Sequence, residues 1–95
     1  MKHVIYDVDK KRNTFYCLIN GQKVGFYLTK SLEKIFGDYI DIGYLIDFEI
    51  NDFYKSINKM KHYQVSYFTK IEQLQPYRLL YDLEELREDM TKVIT

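Results

Sequence analysis

The amino-acid sequence predicts a small, mainly β domain with five strands, a short helix between the third and fourth strands, and an amphipathic helix at the C-terminus. Three observations predict it. Short runs rich in β-branched and aromatic side chains recur along residues 3–70. The pair Asn20-Gly21 separates two of these runs, and a leucine stripe at helical spacing follows Pro76, the single proline. The length of 95 residues fits one domain, spanning 1–95.

The first three strands come from the N-terminal third of the chain. Residues 3–9 alternate side chains between two faces, and residues 14–19 and 23–28 are runs of aromatic and β-branched side chains. Asn20 and Gly21 supply the two positive-φ positions of a type I′ turn. The second and third strands are therefore predicted to form a tight hairpin.

The middle of the chain supplies the short helix and the last two strands. The stretch TKSLEKIFGD predicts a helix of one or two turns, capped by Ser31 and ended by Gly37. The stretch GYLIDFEIND alternates apolar and acidic side chains, which predicts a strand with one face in the core and one in solvent. Polar residues 51–61 are expected to form a loop before the final strand, HYQVSYFTKI.

The last part of the chain, residues 77–94, is predicted to be an amphipathic helix. Its apolar stripe is spaced four, three, four and three residues apart and consists of Leu79, Leu83, Leu86, Met90 and Val93. Acidic side chains occupy the opposite face. We expect the stripe to dock on the chain's own β domain. Pairing of two such helices in a homodimer is less favoured, because the stripe is short for a coiled coil.

Composition and charge place limits on function. The net charge is +0, yet residues 1–37 carry seven Lys or Arg against three acids, and residues 55–70 carry four Lys and no acid. Nucleic-acid-binding domains are usually basic overall, so the total counts against that function while the local clusters favour it. The single cysteine, Cys17, excludes an internal disulfide. Without a signal peptide or a long apolar stretch, we expect a cytoplasmic protein with no membrane partner.

The order of five strands, with a helix between the third and fourth, is that of an OB-fold barrel. The stretch GYLIDFEI contains an alternating strand ending in Phe-Glu-Ile, and KKRNTFYCLINGQKVGFYLT has the length and turn placement of a second and third strand. In these stretches, over about residues 3–70, the chain resembles the cold-shock and S1-like domains. The resemblance implies an OB-like five-stranded antiparallel barrel that binds single-stranded RNA or DNA on its hairpin face. The rival architecture is an antiparallel sheet packed on the C-terminal helix.

The chain departs from the two RNA-binding motifs of that family. The first motif reads Lys-Gly-aromatic-Gly-Phe where this chain has RNTFYC, so Tyr16 keeps an aromatic position while Thr14 replaces another. The second motif reads aromatic-Val-His-Phe where this chain has GFYLT, with Tyr27 in the place of the His. Asp7 stands where the family's first strand has a stacking aromatic, and its negative charge would repel phosphate. A reduced set of aromatic side chains is therefore expected on the binding face.

The candidate nucleic-acid-binding residues are the aromatic side chains of this face and the basic side chains expected around it. They are Tyr6, Lys10, Lys11, Arg12, Tyr16, Lys23, Tyr27, Lys59 and Lys61. Phe15 and Phe26 are expected in the core. In the alternative interpretation the tyrosines only cover the barrel, with their hydroxyls in water. The protein would then be a regulatory module that binds a protein partner through exposed tyrosines and the C-terminal helix.

No constellation in the sequence predicts catalysis. His3 and His62 belong to no metal-spaced or nucleophile-paired motif, and Cys17 lies mid-strand on an expected core face. The acidic residues lack the calcium-loop pattern, and there is no glycine-rich phosphate loop. The sequence therefore predicts a non-enzymatic binding module without a metal or cofactor.

Overall fold

The computed structural model describes residues 1–85, which form a β-sheet domain with one short α-helix. The strands are β1 (Lys2–Asp9), β2 (Thr14–Ile19), β3 (Gln22–Tyr27), β4 (Tyr44–Ile57), β5 (Met60–Leu74) and β6 (Tyr77–Asp82). The helix α1 (Lys30–Phe36) lies between β3 and β4, as predicted. Short 3₁₀ turns, Lys10–Arg12 and Gly37–Tyr39, follow β1 and α1.

The sheet closes on itself to form a barrel. Its strand order is β3-β2-β1-β4-β5-β6, and β3 also pairs with β5, so β1 to β5 make a closed five-stranded barrel. The prediction that all strands are antiparallel is wrong at this seam, because β3 and β5 run parallel, with Gly25 opposite His62. Strand direction alternates through β1, β2 and β3, and again through β1, β4 and β5. β3 and β5 therefore point the same way when they meet. This arrangement is compatible with an OB-like fold.

Phenylalanine rings fill the barrel interior. Phe15, Phe26, Phe48 and Phe68 each expose 1% or less of their surface. The rings of Phe15 and Phe26 are stacked with centroids 5.3 Å apart, and Phe48 meets Phe26 edge-on at 4.9 Å. Ring pairs of this kind contribute about 0.5–1.5 kcal/mol each beyond the burial of their area. The prediction that Phe15 and Phe26 are core residues is confirmed.

The predicted hairpin between β2 and β3 is also confirmed. Asn20 and Gly21 have φ values of 52° and 77°, and Ile19 pairs with Gln22 across the turn. These are the positive-φ positions of a type I′ turn, whose twist matches that of the two strands. The turn therefore fixes which side chains of β2 and β3 share a face.

The β4–β5 hairpin is longer than predicted. Residues 51–61, predicted to form a loop, instead continue both strands, which the turn at Asn58 and Lys59 joins. Both turn residues have positive φ, 52° and 64°. The sequence signal is weak because Lys59 stands where Gly is usual. We call residues 51–63 the arm. On β4 the arm lies beyond Asp47, the last β4 residue in the ladder with β1, and on β5 it ends at Tyr63, which lies opposite Tyr54.

The predicted helix over 77–94 is wrong for its first part. Residues 77–82 form β6, in which Leu79 lies opposite Glu72 of β5. β3 pairs only with the N-terminal end of β5, so the rest of that β5 edge is left without a partner. Hydrogen bonding of β6 to this edge stabilises a strand at residues 77–82, although their apolar spacing is also compatible with a helix. Residues 83–85 are helical and include Leu83. The rest of the predicted stripe, Leu86, Met90 and Val93, lies outside the described residues, so the predicted docking of that stripe stays a prediction.

The short helix α1 differs in detail from its prediction. Thr29, not Ser31, caps it, since the Thr29 hydroxyl accepts a hydrogen bond from the Leu32 N–H at 3.3 Å. Phe36 is buried against Phe68, with ring centroids 5.1 Å apart, whereas Ile35 faces solvent. Within residues 1–85, no helix has the length and apolar character needed to cross a lipid bilayer.

Candidate nucleic-acid interface

The outward-facing side chains of β2, β3 and β5 form one continuous surface, which we call the outer face. Tyr16 of β2 lies opposite Gly25 of β3, and Gly25 lies opposite His62 of β5. Two residues along, Thr14 lies opposite Tyr27. Because side chains two apart on a strand share a face, Tyr16 and Tyr27 are diagonal neighbours on this surface.

Each tyrosine ring of the outer face lies beneath a lysine ammonium. Lys23 Nζ is 4.4 Å from the centroid of the Tyr16 ring, and Lys55 Nζ is 4.3 Å from that of Tyr27. We call these four residues the outer-face cluster. Tyr16 is half-buried, and Tyr27 exposes only 8% of its surface. A cation at this distance is attracted by the negative face of the ring, so both lysines are held over the rings.

His62 fixes the position of Tyr16. Its ring is 1% exposed and meets the Tyr16 ring edge-on, with centroids 5.2 Å apart. His62 Nδ1 lies 2.9 Å from the Met60 carbonyl oxygen, which can only accept, so Nδ1 donates that bond. Nε2 lies 2.9 Å from the Tyr16 hydroxyl oxygen. With the proton on Nδ1, Nε2 of the neutral imidazole accepts a hydrogen bond from the Tyr16 hydroxyl. The tyrosine is therefore anchored at its hydroxyl end.

Gly25 is required by the position of His62. A Cβ atom built at Gly25 would lie 2.6 Å from His62 Cδ2 and 2.8 Å from its Nε2. The imidazole thus occupies the space where a side chain of β3 would stand. A glycine inside a strand pattern signals such a close approach, and this signal was present in the sequence. The sequence analysis missed His62 because its partner lies on a distant strand.

Asp7 is the acidic member of the surface. It lies opposite Tyr16, and its Oδ2 is 3.5 Å from Lys23 Nζ. The interaction is a weak, solvent-exposed ion pair. Lys23 is shared between this carboxylate and the Tyr16 ring, so part of the local positive charge is neutralised.

The remaining predicted basic residues do not join the outer-face cluster. Lys10, Lys11 and Arg12 form the turn between β1 and β2, where Arg12 Nη1 lies 2.7 Å from Asp9 Oδ2. This hydrogen bond lowers the pKa of the Asp9 carboxyl from its usual value. The Lys10 ammonium donates to the Gly37 carbonyl oxygen at 3.0 Å. These three residues lie beyond the Thr14 end of the face, at the opposite end from the arm.

The arm carries the other predicted basic residues. Lys59 is in its turn and Lys61 follows on β5. Lys55, which the sequence analysis did not select, comes from β4 and reaches back to Tyr27. The structure therefore brings together Tyr16, Tyr27 and Lys23 of the predicted set and adds Lys55.

A second group of exposed side chains is mostly apolar and adjoins the outer face at Leu18, which lies opposite Lys23. Val4 and Tyr6 of β1, Leu18 of β2 and Ile42 are each about half exposed or more. They line a groove of about 490 Å³. We call these four residues the apolar patch. Tyr6, predicted as a stacking residue, belongs to this surface and not to the outer-face cluster.

Two features bear on chemistry at the site. Cys17 is buried in the barrel, and burial raises the pKa of its thiol to about 12, so the reactive thiolate is disfavoured at neutral pH. Among residues 1–85, no group of three His, Cys, Asp or Glu side chains is placed to hold a metal ion. The outer face thus offers aromatic surface, positive charge and hydrogen bonds.

Comparison of the chain with protein-family models, with curated proteins and with solved structures finds no match. The compatibility of the barrel with an OB-like fold therefore depends on the order and direction of its strands. The properties of the site depend on its own side chains.

Proposed function

We propose that this protein binds single-stranded nucleic acid on its outer face. The observation that carries the proposal is that Tyr16 and Tyr27, adjacent on one surface, each lie beneath a lysine ammonium. Single-stranded nucleic acid needs both groups, since bases stack on aromatic rings while cations contact the phosphates between them.

Binding requires the lysines to move off the rings. Lys23 and Lys55 have flexible four-carbon stems, and a cation–π contact is worth about 0.5–1 kcal/mol at an exposed site and about 2 kcal/mol at a desolvated one such as Tyr27, which is 8% exposed. Stacking of a base is worth about 1–3 kcal/mol. At Tyr16 a base can therefore displace the ammonium, whereas at Tyr27 the two energies are comparable and the phosphate contact of the displaced ammonium supplies the gain. The largest movement is at Tyr27, whose ring is the more covered of the two.

The resemblance to cold-shock and S1-like domains supports the same face. Their binding side chains lie on the second and third strands, where Tyr16 stands at an aromatic position of the first motif and Tyr27 at the position of the His of the second. Gly25 replaces one of the flanking aromatics, and the imidazole of His62 fills the space above it. His62 is 1% exposed, so it supports the Tyr16 ring from beneath and does not replace the missing stacking ring.

Fluorescence anisotropy with labelled single-stranded RNA and DNA tests the proposal. We expect saturable binding at low salt that weakens steeply as salt rises, because phosphate contacts release counterions. Each phosphate contact should contribute about −0.7 to the slope of log K against log salt. Absence of binding to both nucleic acids at low salt would contradict the proposal.

A second candidate function is binding of a protein partner on the apolar patch. The specific observation is the exposure of four large apolar side chains around one groove: Val4, Tyr6, Leu18 and Ile42. Contiguous exposed apolar surface marks interaction sites in monomeric proteins. Binding there should depend little on salt, which separates it from binding at the outer face.

A further inference from the structure

The β4 side of the arm has an unpaired sheet edge. β4 pairs with β1 as far as Asp47, and the Phe48 N–H then donates to the Met1 carbonyl oxygen at 2.8 Å. Within residues 1–85, no strand pairs with this edge of β4 beyond Phe48. An unpaired edge presents a row of backbone N–H and C=O groups, which is a template for pairing with another chain. The edge of the arm is therefore open to a further strand.

The turn between β4 and β5 determines which backbone groups face the open edge. In a hairpin with a two-residue turn, the residues that flank the turn form a hydrogen-bonded pair, and such pairs alternate with non-hydrogen-bonded ones. Ile57 and Met60 flank this turn, so the next β4 residue hydrogen-bonded to β5 is Lys55. Tyr54 and Ser56 occupy the alternate positions. Their N–H and C=O groups therefore point away from β5, toward the open edge.

The open edge begins next to two exposed aromatic rings. The Phe53 N–H already donates to Asn51 Oδ1 at 2.9 Å, within the bulge between Ile50 and Tyr54, so the groups free to pair start at Tyr54. Phe53 and Tyr54 expose 68% and 60% of their surface. Phe53 is the most exposed large apolar side chain among residues 1–85. A strand added to this edge would find both backbone partners and apolar contact there.

The charge of the arm selects the kind of strand that fits. Residues 51–63 contain Lys55, Lys59 and Lys61 against the single acid Asp52. Two arms of this charge would repel each other if their edges paired, and natural proteins use lysine on exposed edges to prevent such pairing. The same charge attracts an acidic strand, because opposite charges on neighbouring strands stabilise a sheet.

We propose that the open edge of the arm binds an extended acidic peptide of a partner protein, which adds to the sheet beside β4 as a further strand. Hydrogen bonds to the backbones of Tyr54 and Ser56 provide affinity, and alternate side chains of the peptide provide specificity. Because adjacent residues of a strand point to opposite faces, acidic side chains on one face of the peptide lie next to Lys55 and apolar side chains on the other lie next to Tyr54.

This edge fits a polypeptide and not a nucleic acid, since only a polypeptide has backbone N–H and C=O groups at strand spacing. Binding here uses neither the Tyr16 ring nor the Tyr27 ring. It is therefore independent of nucleic-acid binding on the outer face.

Fluorescence anisotropy with a labelled peptide tests the added strand. The probe is a peptide of about eight residues, a usual strand length, in which Glu and Val alternate and both ends are blocked. Its control is the same peptide N-methylated at every peptide bond, which keeps each charge and removes the N–H donors. We expect the wild type to bind the probe saturably at low salt and the methylated control at least about tenfold more weakly, because backbone hydrogen bonds hold the strand.

Two variants at one position test the edge itself. Ser56→Pro removes a backbone N–H that points away from β5, a change that edge strands tolerate. It prevents a further strand from docking, so the affinity for the probe should fall at least about tenfold. Ser56→Ala keeps the N–H and is the matched control, with an affinity within about twofold of the wild type. Thermal melting checks that all three proteins are folded.

Equal binding of the probe and its methylated control would overturn the added strand, because charge alone would then hold the peptide. A wild type that binds neither peptide at low salt, or a folded Ser56→Pro variant that binds the probe like the wild type, would do the same. If Ser56→Pro does not fold, the two peptides on the wild type decide.

Nucleic acid is the other possible occupant of the edge, and the same variant distinguishes it. If Ser56→Pro loses affinity for single-stranded RNA as much as for the probe, the edge binds nucleic acid and the peptide proposal is wrong. A wild type that binds the probe but no nucleic acid would contradict only the proposed function of the outer face. The two proposals therefore fail independently.

Discussion

The outer-face cluster and the apolar patch are two aromatic or apolar surfaces on one small barrel, and they differ in charge. In the cluster, Lys23 and Lys55 stand directly over tyrosine rings. In the patch, Val4, Leu18 and Ile42 are exposed apolar side chains, with Lys2 lining the groove and Lys23 opposite Leu18. We therefore expect a polyanion that carries planar bases to bind the first surface and an apolar partner to bind the second.

The comparison teaches that exposed aromatic area alone does not indicate the ligand. Tyr6 is more exposed than Tyr27, yet it belongs to the patch. What distinguishes Tyr27 is the cation held 4.3 Å from its ring. Four sets of variants test the difference between the outer-face cluster and the apolar patch.

Loss of both outer-face rings should have the largest effect. Tyr16→Leu combined with Tyr27→Leu should weaken nucleic-acid binding by at least about thirtyfold, because two stacking contacts of about 1–3 kcal/mol each are lost. Tyr16→Phe combined with Tyr27→Phe is the matched control and should retain most of the affinity, since the rings remain. Anisotropy titrations measure both. Similar losses in the two double variants, with both shown to be folded by thermal melting, would contradict stacking on the ring faces.

A side chain added at Gly25, where β3 pairs with β5 beneath Tyr16, should have the second-largest effect. Gly25→Ala places a methyl group 2.6 Å from the His62 ring, and overpacking of this kind costs about 1–3 kcal/mol. For a domain of this size, the melting temperature should fall by about 4–8 °C per kcal/mol. His62→Ala in the Gly25→Ala background opens the space, so the second change should cost less there than in the wild type. Equal costs in the two backgrounds would contradict the contact.

Removal of the two cations should have a smaller effect, visible in the salt dependence. Lys23→Gln with Lys55→Gln should make the slope of log K against log salt shallower by about 1.4, because two phosphate contacts are lost. Lys30→Gln with Lys34→Gln on α1 removes the same charge away from the face and is the control. If both double variants change the slope equally, only the total charge matters.

Changes in the apolar patch should have the smallest effect on nucleic-acid binding. Val4→Ser with Ile42→Ser makes the patch more polar and leaves Leu18, which lies opposite Lys23 of the cluster, unchanged. Its affinity for single strands should stay within about twofold of the wild type in the same titration. A tenfold loss would place the patch inside the nucleic-acid interface and remove the contrast between the two surfaces.

Local sequence signals predicted the parts of the fold that local interactions determine. The Asn20-Gly21 turn fixed the β2–β3 hairpin and placed Phe15 and Phe26 in the core. The Asn58-Lys59 turn has the same geometry but lacks glycine, and its hairpin was predicted as a loop. The backbone geometry of this turn is set by the long pairing of β4 with β5, which has 15 residues. A short stretch of sequence around the turn does not reveal that pairing.

Contacts between distant segments account for what the sequence analysis missed. Leu79 lies in a stretch with helical periodicity, yet β6 forms because β5 offers an edge to pair with. At the site, Tyr16, Tyr27 and Lys23 were predicted from the β2–β3 hairpin and from its resemblance to the two motifs of the cold-shock and S1-like domains. Lys55 and His62 reach the same face only through the β3–β5 pairing, whose register depends on closure of the barrel.

The seam between β3 and β5 also bears on how the chain folds. The Tyr16–His62 hydrogen bond joins residues 46 positions apart, and β3 has no partner on its outer edge until β5 arrives. Contacts of large sequence separation slow folding, because the chain between them must first be ordered. An open β3 edge in the unclosed barrel is a site where two chains can pair wrongly. The face that His62 completes is thus also the place where folding competes with aggregation.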